Sequence, residues 1–238
     1  MIAQCDLAIN AINSRFNTND SRTMSTPQTI GGIVLCGGLS TRMGLAQSDL
    51  PFGAETLLQR VVRLLSQVVS PIVVVAAEGQ NLPALPSDVI VARDQVAQRG
   101  PLAGLQAGMT ALRPHATACY ATSCDVPFLQ AEFVRALIEM LADHDIVVPQ
   151  DGRFHHPLAA VYRLKLVDSI ERLIAADRLR PVFLFDEANT LRVDVETLRQ
   201  FDAELATLEN LNHPEDYRRA MEKMGLEIPA EVAGKFPS

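Results

Sequence analysis

No stretch of the 238-residue chain approaches the roughly 20 apolar residues that span a bilayer, so nothing in it reads as a membrane helix. Basic residues are the minority charge: 21 Lys and Arg against 28 Asp and Glu leave a formal charge of −7. Nucleic-acid binding wants a basic stripe for phosphate neutralisation, so that class is set aside, while a local positive pocket for a small anion stays open. Cysteine is sparse. Cys5, Cys36, Cys119 and Cys124 contain no CxxC pair and are too few to staple a chain of this length, which excludes a zinc ribbon and a disulfide framework. The amino terminus lacks a lysine-led apolar signal segment, and the expectation is a cytoplasmic protein with reduced thiols. Lysine is missing altogether before Lys165, and neither GxGxxG nor the GK[ST] of a P-loop occurs.

What is present suits one globular domain, with 48% hydrophobic and 21% charged residues. Residues 1–28 are polar around Asn17-Thr18-Asn19-Asp20-Ser21 and bury too little to offset ordering entropy; they are expected to form a loose arm, with Met24 an alternative start. From Thr29 the pattern turns regular. The run Ile33-Val34-Leu35-Cys36 stops at Gly37-Gly38, as a buried strand ending in a tight turn should. Thr56 then caps a helix carrying Leu57, Leu58, Val61, Val62, Leu65 and Val69 at helical spacing. Further strands are expected at 72–76, 89–91, 118–123, from 146, at 158–162, 191–195 and 207–211. Helices are expected at 101–112, along the Phe133, Leu137 and Leu141 stripe, and at 164–176 and 214–224. This alternation predicts an α/β fold over residues 29–224, a doubly wound and mostly parallel sheet with helices on both faces, followed by a tail at 225–238.

Ligands of open α/β sheets sit beyond the carboxyl ends of the strands, so chemistry is sought there. After the first strand, Gly37 and Gly38 let backbone N–H groups approach an anion, and Arg42 supplies a positive fork; the alternative is a glycine turn with a solvent-facing arginine. After the fourth strand, Asp125-Val126-Pro127-Phe128 puts a carboxylate at the sheet's mouth, able to hold Mg²⁺ or to serve as a turn or cap residue. Asp94 fits a ribose or base contact, or a plain turn. His155-His156 before Pro157 reads as exposed turn histidines. Asn212 and His213 read as capping residues of the last helix. No serine or cysteine has a partner arrangement for nucleophilic catalysis.

Jointly, these pieces resemble the molybdenum cofactor guanylyltransferase (MobA-like) family. Leu35-Cys36-Gly37-Gly38-Leu39-Ser40-Thr41-Arg42-Met43-Gly44 is similar to its LAGGxSxRMG opening, Gly100-Pro101-Leu102-Ala103-Gly104 to its GPLAG turn, and Asp125-Val126-Pro127-Phe128-Leu129 to its DxPFL metal motif. His156-Pro157-Leu158 with Val161-Tyr162 resembles QPL…VY, and Asn210-Leu211-Asn212-His213-Pro214-Glu215-Asp216 resembles NxNTPED. The resemblance implies a Rossmann-like sheet of the nucleotide-diphospho-sugar transferase type. It implies Mg²⁺-dependent transfer of GMP from GTP to a molybdopterin-type phosphate with release of pyrophosphate. The implied nucleotide-binding residues are Leu35, Cys36, Gly37, Gly38, Arg42, Gln47, Asp94 and Asp125. Arg42 and Asp125 would be catalytic, Asp125 the metal ligand, and Asn210 and Asn212 would border the acceptor. Neither nucleic acid nor membrane is an expected partner, whereas transient contact with cofactor-biosynthesis or molybdoenzyme proteins is.

Two places depart from the family pattern: Ala76-Ala77-Glu78 stands after the second strand where the family usually places an asparagine near the base, and Gln47 is the one that bears on catalysis. The phosphate-binding lysine of the GxDK step is Gln47 here, and a neutral amide does not offset phosphoryl charge; losing a cation there costs on the order of 10²-fold in rate. The replacement cation would be Arg42 with the metal, Arg99, or the distant Lys165, Lys223 or Lys235. Two alternatives follow: a nucleotide-binding pseudoenzyme or regulatory module, and a related transferase using CTP or a sugar phosphate. The Gly-Gly of the first motif and GPLAG are more similar to the guanylyl than to the cytidylyl branch.

Overall fold

The computed structural model describes residues 29–37, 46–94 and 100–236. Its strands are β1 (Ile30–Leu35), β2 (Pro51–Phe52), β3 (Glu55–Thr56), β4 (Ile72–Ala77), β5 (Ile90–Asp94), β6 (Ala118–Ser123), β7 (Ile146–Asp151), β8 (Phe154–His155), β9 (Ala159–Arg163) and β10 (Thr190–Asp194). The helices are α1 (Leu57–Leu65), α2 (Pro101–Leu112), α3 (Ala131–Met140), α4 (Val167–Ala175), α5 (Pro181–Glu187), α6 (Val195–Leu198), α7 (Pro214–Lys223) and α8 (Ala230–Ala233). Among the described residues, one eight-stranded sheet runs β10-β7-β9-β6-β1-β4-β5, with β8 paired to β7.

The sheet is mostly parallel, and its central strands β1, β4 and β6 are apolar runs buried on both sides, while the edge strand β5 is half-buried to exposed. Alternation sorts neighbouring residues to opposite layers. Val34, Val74, Tyr120, Val147 and Val161 pack with α1 and α3 residues such as Val61 and Phe133. Their neighbours Ile33, Val73, Cys119, Ile146 and Tyr162 pack with Leu105 of α2, Ile170 of α4 and Leu184 of α5. β9 breaks the parallel pattern, running antiparallel to both β6 and β7.

Local chemistry sets the element ends. Thr56 caps α1 as expected: its hydroxyl accepts from the Gln59 N–H, and the Gln59 side chain accepts in return from the Thr56 N–H at 2.8 Å. Gly100 has φ of 74° at the start of α2, a left-handed value that suits glycine, and Pro101 opens the helix after it.

Several expectations are corrected. The strand at 207–211 is not formed: the buried Asp202 carboxylate accepts from the Ala206 and Thr207 N–H groups at 3.1 and 2.8 Å, and this local bonding winds Ala206–Leu208 into a 3₁₀ turn. The helix expected over 164–176 starts as a 3₁₀ turn, and α5 and the β2–β3 hairpin were not foreseen, being too short for periodicity to register. His155 and His156 are half-buried rather than exposed. The His155 ring lies 5.3 Å from that of Phe185, its Nε2 faces Arg192 Nε at 3.3 Å, and burial pushes both histidines down from their ordinary value. Beyond α7 the chain folds back, so that Val232 and Phe236 join Leu50, Phe52 and Tyr217 in a third, smaller core.

Candidate functional site

Reading the sheet outward from β1, β4 and then β5 lie on one side, while the chain returns to place β6 on the other. The strand order therefore reverses between β1 and β6, and a crevice opens beyond the carboxyl ends at such a switch point. Two of the sequence-predicted residues border it. Leu35 is in register with Ser123, and the Cys124 N–H donates to the Leu35 carbonyl at 3.0 Å, so Gly37 and Asp125 emerge side by side.

Asp125 is only 7% exposed, and the folded chain surrounds it with donors. The Ser123 hydroxyl donates to its Oδ1. Asn210, 85 residues away in sequence, donates from Nδ2 to the same oxygen at 3.0 Å and to Ser123 Oγ at 3.1 Å. The Leu211 N–H donates to the Asp125 carbonyl at 2.9 Å, which ties the 210–211 segment to the end of β6. Gln47 enters from the other direction: its Nε2 donates to the Leu211 carbonyl at 2.8 Å and lies 3.5 Å from Asp125 Oδ2. A carboxylate with one oxygen held by two donors and the other beside a neutral amide fits a single-carboxylate ligand for a hard divalent ion, which takes its remaining oxygens from phosphates and water. Among the described residues no three His, Cys, Asp or Glu side chains gather as a ready-made metal cage.

The β1 side is built by close backbone approach. A Cβ on Gly37 would stand 2.9 Å from the Ala77 nitrogen and 3.3 Å from the Ala76 carbonyl carbon, so only glycine lets the turn lie against the end of β4. Cys36 is buried, its Sγ facing the Val75 carbonyl at 3.3 Å, and burial pushes its thiol up to about 12. Cys124 is raised well above its ordinary value by the same cause, so both thiols stay protonated and inert.

The remaining predicted residues are dispersed. Asp94 ends β5 on the same edge of the sheet, in register with Ala77 and two strands over from the Gly37 turn that follows β1. Asn212 is exposed, and its N–H donates to Asp216 at 3.1 Å, as does the N–H of His213, the cap of α7. Gly38 and Arg42 lie outside the described residues, as does Arg99. Of the distant lysines, Lys165 pairs with Asp145 at the opposite, amino end of β7, Lys223 pairs with Glu204, and Lys235 is exposed.

Sequence reasoning passed over three contributors. Ser48 is fully buried beside Gln47, and Gln80 bridges the β1 and β4 ends. Arg60 of α1 donates from Nε to the Pro127 carbonyl at 2.7 Å, holding the segment after Asp125. None carries a local signal, since each acts on a residue that only folding brings near.

Comparison with known proteins agrees with this geometry. The family model of the MobA-like NTP transferase domain matches residues 32–190. A protein of Mycobacterium bovis BCG named a probable molybdenum cofactor guanylyltransferase is 37% identical over 174 residues, which is 70% of this chain and 85% of that protein. The crystal structure of molybdopterin-guanine dinucleotide biosynthesis protein A from Archaeoglobus fulgidus is 25% identical with a TM-score of 0.68, covering 82% of this chain and 98% of that one. A 2-C-methyl-D-erythritol 4-phosphate cytidylyltransferase from Thermus thermophilus shares the fold with a TM-score of 0.59 at 14% identity, over 83% of this chain and all 100% of its own. Strand order, the acid beside the switch point and the sequence match across most of the chain converge: this protein belongs to the MobA-like NTP transferase family and is a nucleotidyltransferase.

Proposed function

We propose that the protein transfers GMP from GTP to the phosphate of a molybdopterin-type cofactor, using Mg²⁺ and releasing pyrophosphate. The observation that carries this reading is the meeting of Asp125, Asn210 and Gln47, from three separated motifs, at the β1–β6 crevice. In the proposed reaction an acceptor phosphate oxygen forms a bond to the α-phosphorus of GTP as the bond to the pyrophosphate oxygen breaks. The attacking oxygen is already ionised, so no general base is required. Leu35, Cys36, Gly37 and Gly38 supply the backbone of the triphosphate turn, and Arg42 its positive charge. Asp94 contacts the nucleoside; Asn210 and Asn212 border the acceptor. Asp125 would hold Mg²⁺, which when bound neutralises charge on the phosphate oxygens. Residues 29–224 form the catalytic domain, with the segment that follows folding back onto the core around Tyr217, and the protein works in the cytoplasm without nucleic acid or membrane, meeting other cofactor-biosynthesis or molybdoenzyme proteins transiently.

The test is pyrophosphate release from GTP with Mg²⁺ and acceptor; a folded protein that turns over no GTP overturns transfer. A second reading, a nucleotide-binding pseudoenzyme, is favoured by one observation: Gln47 stands where the family pattern has lysine, and its amide is engaged by the Leu211 carbonyl. It expects GTP to bind in calorimetry without turnover. A thermal-shift panel of nucleotides with Mg²⁺ separates both from a CTP- or UTP-using transferase by which base stabilises the fold.

A further inference from the structure

We infer that Gln80 is the positioning residue of the nucleotide turn, a role that rests on the proposed nucleotide reading and that no motif in the sequence assigns. Gln80 closes a tight turn after β4, its N–H donating to the Ala77 carbonyl at 3.2 Å. Its side chain then uses every polar atom it has. Oε1 accepts from the Ala77 N–H at 3.0 Å, which fixes the orientation of the amide. Nε2 donates to the Cys36 carbonyl at 3.1 Å and to the hydroxyl of the fully buried Ser48 at 3.2 Å. Arg93 braces the turn from outside, donating to the Ala77 and Gln80 carbonyls at 3.1 and 2.7 Å.

The geometry has a direct consequence for the crevice. The peptide between Cys36 and Gly37 is planar, so the Cys36 carbonyl and the Gly37 N–H point in opposite directions. Holding the carbonyl at Gln80 therefore aims the Gly37 N–H away from β4. The second Nε2 proton holds Ser48, whose neighbour Gln47 lies beside Asp125. One carboxamide thus sets the direction of a backbone donor on one wall and the placement of the Gln47 amide on the other. Gln80 touches neither reacting atoms nor metal in this scheme; it acts through the groups it holds.

The experiment compares Gln80→Ala, Gln80→Glu and Ser48→Ala by calorimetric GTP affinity and by steady-state kinetics with Mg²⁺. Gln80→Ala is expected to weaken GTP binding and raise its KM about tenfold, with kcat within threefold. Gln80→Glu is the sharper case. It matches glutamine in size, still accepts from Ala77 and can accept from the Ser48 hydroxyl, but it has no proton for the Cys36 carbonyl and sets a carboxylate oxygen against it, so it is expected to be the worst of the three. A side chain that merely fills space would leave the glutamate variant close to the native protein, and that result overturns the inference even if the alanine variant fails to fold. Ser48→Ala, which removes one of the bonds, is expected to shift affinity less than threefold. Native protein that binds GTP without turning it over ends the transfer reading alone, and the Gln80 inference then stands or falls on the affinities. Native protein that binds no GTP overturns both.

Discussion

The two walls of the β1–β6 crevice are held by different means. The acid wall is cross-linked: Asp125 takes side-chain bonds from Ser123 and Asn210 and a backbone bond from Leu211, and Arg60 fixes Pro127 behind it. The turn wall is tied mainly to the end of β4: Gly37 lies close against Ala77, the Cys36 N–H and Sγ bond the Val75 carbonyl, and the Cys36 carbonyl and Ser48 hydroxyl share the single carboxamide of Gln80. Losing one of several donors on Asp125 removes part of its order, whereas the direction of the Cys36 carbonyl rests on the Gln80 carboxamide. The acid wall carries charge in a buried place and needs that redundancy, because a buried carboxylate without donors is costly. The turn wall, on the proposed reading, offers the Gly37 N–H, which needs direction more than support.

The largest effect expected to sharpen this contrast comes from Asp125→Asn. It keeps the shape and the bond to Asn210 within reach but removes the charge, so GTP turnover is expected to fall on the order of 10²-fold or more with little change in thermal midpoint. A variant that stays fully active would remove the acid wall from the chemistry. Gly37→Ala comes next. Its new methyl group meets backbone at 2.9 Å, which cannot rotate away, so the ends of β1 and β4 must separate; a loss of about 1–3 kcal/mol in a denaturant titration is expected, together with weaker nucleotide binding. Gln47→Lys returns a cation beside Asp125 and is expected to raise kcat about tenfold, an outcome readable by single-turnover kinetics. No gain would place the deciding cation elsewhere. Asn210→Ala strips one donor from a well-supported oxygen and should cost less, about fivefold in kcat.

The smallest effect concerns the β2–β3 hairpin. Glu55 of β3 is bound by Arg63 at 2.6 and 3.0 Å, and also by Arg60, and these bonds hold its carboxyl below the ordinary range. The folded protein therefore binds fewer protons than the unfolded one in acid, so the stabilisation is full above the ordinary value of 4.5 and is lost as pH falls through the lowered folded one. Glu55→Gln is expected to flatten that acid limb and to cost about 0.5 kcal/mol at neutral pH, measured as urea midpoints across pH.

Much of this protein is written locally. The β-branched runs at 72–76 and 146–148, the cap at Thr56 and the stripe at Phe133, Leu137 and Leu141 each report their own state, because burial on one or two sides imposes a period that neighbours in sequence must obey. The glycine-bounded end of the first strand and Asp125 were legible for the same reason, as was membership of a transferase family through motifs in order. Where local signals compete, the reading went astray: the apolar residues at 207–211 look like a strand, yet the Asp202 carboxylate claims their backbone donors. Short elements such as α5 and β2–β3 lack the length to show a period at all.

By itself, then, the order of residues determined the layers, the alternating elements and the two strand ends proposed to carry the chemistry, because those follow from periodicity, turn geometry and charge within a few positions. Only the tertiary structure decided what holds Asp125 and what holds the β1 turn. Asn210 reaches across 85 residues and Gln80 across 44 to do so. Such bonds depend on the distance between chain segments after folding, and that distance is a property of how the sheet is wound.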